Sequence, residues 1–159
     1  MILALRRAAS PSVVLLRGVS ELSPDDQAIA SHFERVDQKA NVMLSEKYLE
    51  QGKYEEQSGQ FLEAARSYER VLRGRPSAPV YERAAECYLQ AGGDLRRAAD
   101  AAKKAVEMAP EDAGYRLTLA KVYVQAGMSQ SALSELERAK TLEPGNDTIK
   151  DWIRRLKRG

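Results

Sequence analysis

The chain has 159 residues, of which 43% are hydrophobic and 30% charged, and its formal net charge is +2. This length predicts one domain or one short solenoid, and the small net charge does not by itself indicate nucleic-acid binding. The single cysteine, Cys87, excludes an intrachain disulfide, and no apolar run approaches the roughly 18 residues of a membrane-spanning helix.

Residues 1–22 carry three arginines and no acidic residue before Glu21, a composition that resembles a mitochondrial presequence. Pro11 would interrupt the helix of such a presequence, and the apolar run is too short for a good secretory signal. We interpret this segment as a flexible or domain-derived arm. We therefore expect a cytoplasmic protein, with a mitochondrial location as the alternative if the segment is a presequence.

Residues 23–41 begin with Ser-Pro-Asp-Asp, which supplies a capping hydroxyl, a proline in the first turn and two acids at the positive end of the helix dipole. Apolar residues then recur at spacings of four and three, at Ile29, Phe33, Val36, Ala40 and Met43. We predict an N-terminal helix that packs on the rest of the chain and either ends near Asn41 or runs on past it. A coiled-coil seam is the alternative, although two heptads are short for one.

The remaining chain repeats itself every 34 residues. Four classes of position keep this interval: Pro76, Pro110 and Pro144; Gly59, Gly93 and Gly127; Ala64, Ala98 and Ala132; and Val71, Ala105 and Ala139. A period of this length is typical of stacked helical hairpins, in which each unit buries its apolar face against its neighbours.

Each unit is predicted to contain two helices. The second helices are expected at residues 61–73, 95–108 and 129–142, between a glycine that permits positive φ and a proline that cannot continue a helix. The first helices end near Tyr54, Tyr88 and Tyr123, of which the first two lie one residue farther from their glycine. This difference predicts one extra residue in the first two turns, namely Ser58 and one of Gly92 and Gly93.

These residues resemble the tetratricopeptide-repeat (TPR) signature. The third unit is similar to it in Leu119, Ala120, Tyr123, Gly127, Ala132, Leu136, Ala139 and Pro144, and the middle unit in Tyr81, Ala84, Ala85, Tyr88, Ala98, Ala105 and Pro110. The first unit matches in its second helix but has Glu50 and Gln51 where an apolar and a small residue are usual. The resemblance implies an all-α solenoid of three units, residues 42–77, 78–112 and 113–146.

Residues 147–159 are predicted to form a C-terminal capping helix. Ile149, Trp152, Ile153 and Leu156 lie on one face, and basic residues cover the other. We expect Trp152 to be buried against the third unit. A basic helix that binds a membrane surface or nucleic acid is the alternative.

No catalytic or metal-binding pattern is found. His32 is the sole histidine and is expected at the surface, and nothing places a base beside Cys87, which we expect to be a packed thiol. The sequence has no zinc, nucleophile-elbow or phosphate-loop motif. It therefore predicts neither an enzyme nor a bound cofactor.

The resemblance implies a concave groove along the first helices, which binds a peptide or a partner helix. Ten residues are expected to line it: Glu55, Glu56, Glu82, Glu86, Leu89, Gln90, Leu117, Lys121, Val124 and Gln125. Of the places where chaperone-binding members of the family hold a terminal carboxylate, only the one at Lys121 fits. An acidic first half and an apolar far end instead predict a protein partner with basic and apolar residues.

The predicted function is therefore a protein-interaction scaffold or adaptor, alone or as the interaction module of a larger multidomain protein. The second helices carry many basic residues, among them Arg66, Arg70, Arg73, Arg75, Arg96, Arg97, Lys103 and Lys104. Some of these must lie on the convex side. Binding of nucleic acid or an anionic surface to that side is the alternative function, and an ordinary solvated surface also explains the pattern.

Overall fold

A computed structural model describes residues 23–158, in which every regular element is an α-helix. The seven helices of this range are α1 (Pro24–Gln57), α2 (Phe61–Gly74), α3 (Ala78–Gln90), α4 (Leu95–Met108), α5 (Ala113–Gln125), α6 (Ser129–Leu142) and α7 (Asp147–Arg158). The predicted all-α solenoid is thereby confirmed. The predictions for residues 1–22 lie outside the described range. None of the helices in the described range combines the length and apolar character of a membrane span.

Helix α1 begins where the sequence predicts, because the Ser23 hydroxyl accepts a hydrogen bond from the backbone N–H of Asp26 at 3.3 Å. It then continues without a break to Gln57, so the N-terminal helix and the first helix of the first unit are one element. The described part of the chain divides into two compact units between Ala40 and Asn41. In the first of them, the side chains of Ile29, Phe33 and Val36 are each more than half exposed.

The second unit is built from helical hairpins. Helix α3 packs against α2 and α4, α5 packs against α4 and α6, and α7 packs against α6. The repeated alanines Ala64, Ala98 and Ala132 are fully buried. Their small side chains permit the close helix approach that a solenoid core of few aromatic residues requires.

The three turns inside the hairpins share one hydrogen-bond pattern. In each turn, the N–H of a glycine with positive φ donates a hydrogen bond to the carbonyl three residues earlier. The N–H of the next residue donates a hydrogen bond to the carbonyl five residues before it. The glycines are Gly59, Gly92 and Gly127, with φ values of 75°, 61° and 73°. In the middle unit Gly92 takes the left-handed conformation, and not Gly93, which keeps the 34-residue interval.

This pattern also corrects the alignment of the first helices. The carbonyls that accept the second of these hydrogen bonds belong to Glu55, Tyr88 and Tyr123. Glu55, and not Tyr54, is therefore equivalent to the two tyrosines. Accordingly Tyr54 is 69% exposed, whereas Tyr88 is 1% exposed.

Only the second turn has an extra residue. There Asp94 is the N-cap of α4 and accepts hydrogen bonds from the N–H groups of Arg96 and Arg97. In the corrected alignment Gly52 is the small residue of the first unit, equivalent to Ala85 and Ala120, and it is buried against the Tyr68 ring.

Helix α7 covers the last hairpin with two isoleucines. Ile149 and Ile153 are buried beside Leu136 and Ala139 of α6, and Lys157 pairs with Glu137 at 2.9 Å. Trp152 packs only partly into this cluster, which corrects the expected full burial. Residues four apart share one line along a helix, so Ile149 and Ile153 point at α6 and Trp152 lies beside that line.

Candidate functional site

The corrected turns define equivalent positions on the three first helices. Counting back from each turn gives four positions per helix, spaced as i, i+4, i+7 and i+8 and therefore on one face. We call these twelve residues the groove positions: Leu49, Lys53, Glu56 and Gln57 on α1; Glu82, Glu86, Leu89 and Gln90 on α3; and Leu117, Lys121, Val124 and Gln125 on α5. The fourth position is exposed in all three helices, and the first and third are partly buried in all three.

Of the ten residues predicted to line the groove, nine occupy the groove positions and Glu55 does not. Its carboxylate accepts a hydrogen bond from the buried Ser67 hydroxyl of α2 at 2.6 Å and another from the Gln51 amide at 2.8 Å. Glu55 therefore faces its own hairpin. Leu49, Lys53 and Gln57 were missed because aligning Tyr54 with Tyr88 displaced the first helix by one residue.

Arg83 joins two of the groove carboxylates and was not predicted. Its guanidinium pairs with Glu56 on the neighbouring first helix and with Glu86 at 3.1 Å. The other oxygen of Glu56 accepts a hydrogen bond from the Tyr68 hydroxyl at 2.7 Å. Burial, followed by this hydrogen bond, raises the pKa of Tyr68, so the phenol remains a donor at neutral pH. Glu56 is thus satisfied on both oxygens.

Glu82 is different, because within the described residues no cation lies within ion-pair distance of it. The buried Thr118 hydroxyl of α5 donates a hydrogen bond to it at 3.2 Å. Burial raises the pKa of Glu82, and the nearby charge of Glu86 acts in the same direction. Equivalent positions on the other first helices are Leu49 and Leu117, so a carboxylate stands where the other two units have leucine.

We expect Glu82→Gln to stabilise the free protein at neutral pH, because it removes a partly buried charge and keeps an acceptor for Thr118. A raised pKa means that the Glu82 contribution is most favourable below the unfolded pKa of about 4.3 and becomes unfavourable as pH rises through the folded pKa. In urea unfolding, the free energy of unfolding of Glu82→Gln should therefore equal that of the native protein at about pH 4 and exceed it fully at pH 7. Glu111→Gln, at an exposed position, is the control, and an equal gain there would contradict the assignment.

The single thiol of the chain lies in the hydrophobic core. Cys87 is buried, and burial, with the charge of Glu56 as the next cause, raises its pKa to about 12, so the thiol stays protonated. Among the described residues, no cluster of His, Cys, Asp and Glu could hold a metal ion.

The surface that carries the basic residues of the second helices is mixed in charge. A hollow of about 370 Å³ between α2, α3 and α4 is lined by both signs, including Glu69, Asp100, Arg97 and Lys103. Arg97 pairs with Glu69 at 3.4 Å. These acidic residues lie among the basic residues that suggested an anionic partner, which reduces the attraction of this side for one.

Comparison with known proteins gives a consistent family. Two family profiles, both described as Tetratricopeptide repeat, match residues 49–92 and 91–151. No curated protein sequence matches the chain.

Solved structures with similar folds include TPR domains and complexes with peptides. The TPR domain of Arabidopsis OM64 has a TM-score of 0.67 at 22% identity, covering 74% of this chain and 98% of that one. The second TPR domain of human RPAP3, in complex with the HSP70 peptide SGPTIEEVD, has a TM-score of 0.66 at 16% identity, with 76% and 98% covered. The Yersinia enterocolitica type III secretion chaperone SycD, in complex with a peptide of the translocator YopD, has a TM-score of 0.64 at 15% identity, with 70% and 91% covered.

Proposed function

Because the chain belongs to the tetratricopeptide-repeat family, we propose that it is a protein-interaction scaffold or adaptor. It binds a peptide or helix of a partner protein across the groove positions of α1, α3 and α5. It acts alone or as the interaction module of a larger multidomain protein. The similar folds of human RPAP3 and SycD, each in complex with a peptide, support this proposal.

Glu82 is the observation that carries the proposal. Its carboxylate is partly buried, has a raised pKa, and occupies a position where the neighbouring units have Leu49 and Leu117. A charge in such a place lowers the stability of the free protein, and such residues are typical of functional sites. A basic side chain from a partner would supply the missing opposite charge.

The partner therefore carries at least one basic residue. The HSP70 peptide bound by RPAP3 ends in EEVD, whereas Glu82 and Glu86 would repel such acids. Charge gives little specificity by itself, so the partly buried Leu89, Leu117 and Val124 serve as apolar contacts for neighbouring partner residues.

A double charge reversal tests this function. The partner is first recovered by pull-down from the native host and mass spectrometry, and its binding is then titrated at low and moderate salt. Glu82→Lys with Glu86→Lys should weaken binding by at least about tenfold, mainly through slower association, with helicity unchanged.

The matched control reverses two exposed cations on α4, Arg96→Glu with Lys103→Glu, neither of which forms an ion pair within the described residues. This control should bind normally. If it loses binding while the groove variant retains it, the groove proposal is wrong and the basic convex side is the binding surface.

A further inference from the structure

The second groove position of each first helix is charged, and its sign alternates along the array. It is Lys53 on α1, Glu86 on α3 and Lys121 on α5. We call these three residues the charge row. Because equivalent positions of stacked repeats follow one another along the solenoid, the row presents positive, negative and positive charge in order.

Each member of the charge row can be reached by a partner. Lys121 is partly buried and forms no ion pair within the described residues. Lys53 pairs with Glu50 at 2.9 Å, but both side chains are more than half exposed, and such pairs contribute little. Glu86 is held by Arg83 on one oxygen, and Glu82 lies one turn before it on the same face.

The distance between row members sets the spacing of the partner residues. Adjacent first helices contact each other through Glu56 with Arg83 and through Glu82 with Thr118. Packed helices have axes about 8–10 Å apart. An extended chain in the polyproline II conformation returns to the same side every three residues, after about 9 Å. Three residues of an extended partner therefore bridge one helix to the next.

Resting on the proposed function, we propose that the groove recognises an extended segment with the pattern acidic-x-x-basic-x-x-acidic. The acidic residues pair with Lys53 and Lys121, and the basic residue pairs with Glu86 and Glu82. The pattern reads the same in both directions, so the charge row fixes the register of the partner without fixing its polarity.

Three synthetic peptides test the charge row. They carry Asp-x-x-Lys-x-x-Asp, Lys-x-x-Asp-x-x-Lys or Lys-x-x-Lys-x-x-Lys, with the same proline, leucine and alanine residues between the charges. Binding is measured by fluorescence anisotropy at low and moderate salt. The first peptide should bind at least about tenfold more tightly than either of the others.

Protein variants supply the reciprocal measurement. Lys53→Glu with Lys121→Glu should make the all-lysine peptide the preferred ligand. Lys47→Glu with Lys103→Glu, which changes exposed lysines outside the groove positions, should leave the preference unchanged.

The outcomes separate this inference from the proposed function. The proposed charge pattern is wrong if the native protein prefers the all-lysine peptide, or if none of the three peptides binds. In either case the proposed function is tested separately, by measuring whether Glu82→Lys with Glu86→Lys abolishes binding of the recovered partner. If the recovered partner instead needs successive charges seven residues apart in its own sequence, it binds as a helix, and the proposed extended pattern is wrong.

Discussion

Replacing Gly74 with alanine should destabilise the protein by about 3 kcal/mol, at the upper end of the usual range for overpacked cores. A Cβ on Gly74 would lie 2.4 Å from the backbone carbon and oxygen of Asn41 and 2.6 Å from the Ser45 hydroxyl. Backbone atoms within a helix cannot move aside as a flexible side chain does. The close approach of α1 and α2 therefore depends on the absence of a side chain at this position.

Urea unfolding followed by circular dichroism measures this effect. Gly145→Ala is the control, because nothing lies within 4 Å of the Cβ that it would add. Gly52→Ala should fall between the two, since its Cβ would lie 3.0 Å from the edge of the Tyr68 ring. An alanine at residue 74 that is as stable as the native protein would show that α1 and α2 are not in contact there.

The second helices could be predicted from the sequence because their packing restricts the residues allowed. Ala64, Ala98 and Ala132 sit where neighbouring helices meet, and any larger side chain would separate them. Glycine before and proline after each second helix then set its bounds. As a result α4 and α6 begin and end where the spacing predicted, and α2 is longer by one residue.

The first helix of the first unit could not be aligned in the same way. An alignment by residue type places Tyr54 opposite Tyr88, whereas the residue that is structurally equivalent to Tyr88 is Glu55. Where two glycines are adjacent, as at Gly92 and Gly93, either can adopt positive φ, and only the hydrogen bonds of the turn distinguish them. Because of this one-residue difference, Lys53 was not predicted as a groove position.

Arg83 could not be predicted for a different reason. Its bond to Glu56 joins α1 to α3 across 27 residues of sequence, so it depends on how the helices pack. No local pattern indicates which of many exposed arginines will meet two carboxylates. The charges of the groove were visible in the sequence, whereas their pairing was not.

Ile149→Ala should destabilise the C-terminal helix more than Trp152→Ala, the reverse of what residue size alone suggests. Ile149 is 0% exposed within the cluster that joins α7 to α6, so its truncation leaves a cavity and costs about 3–4 kcal/mol. Trp152 keeps part of its surface in water, and its truncation should cost about 2 kcal/mol.

Trp152 is the only tryptophan, so its fluorescence reports on α7 alone. In the Ile149→Ala variant, its emission should shift to the red at lower urea than the circular dichroism signal of the whole chain changes, because terminal elements open first. Thr148→Ala, at an exposed position one residue earlier, should leave both transitions in place. If Ile149→Ala behaves like Thr148→Ala, the apolar face of α7 does not hold it on α6. Its basic face would then become the better explanation of why the helix is there.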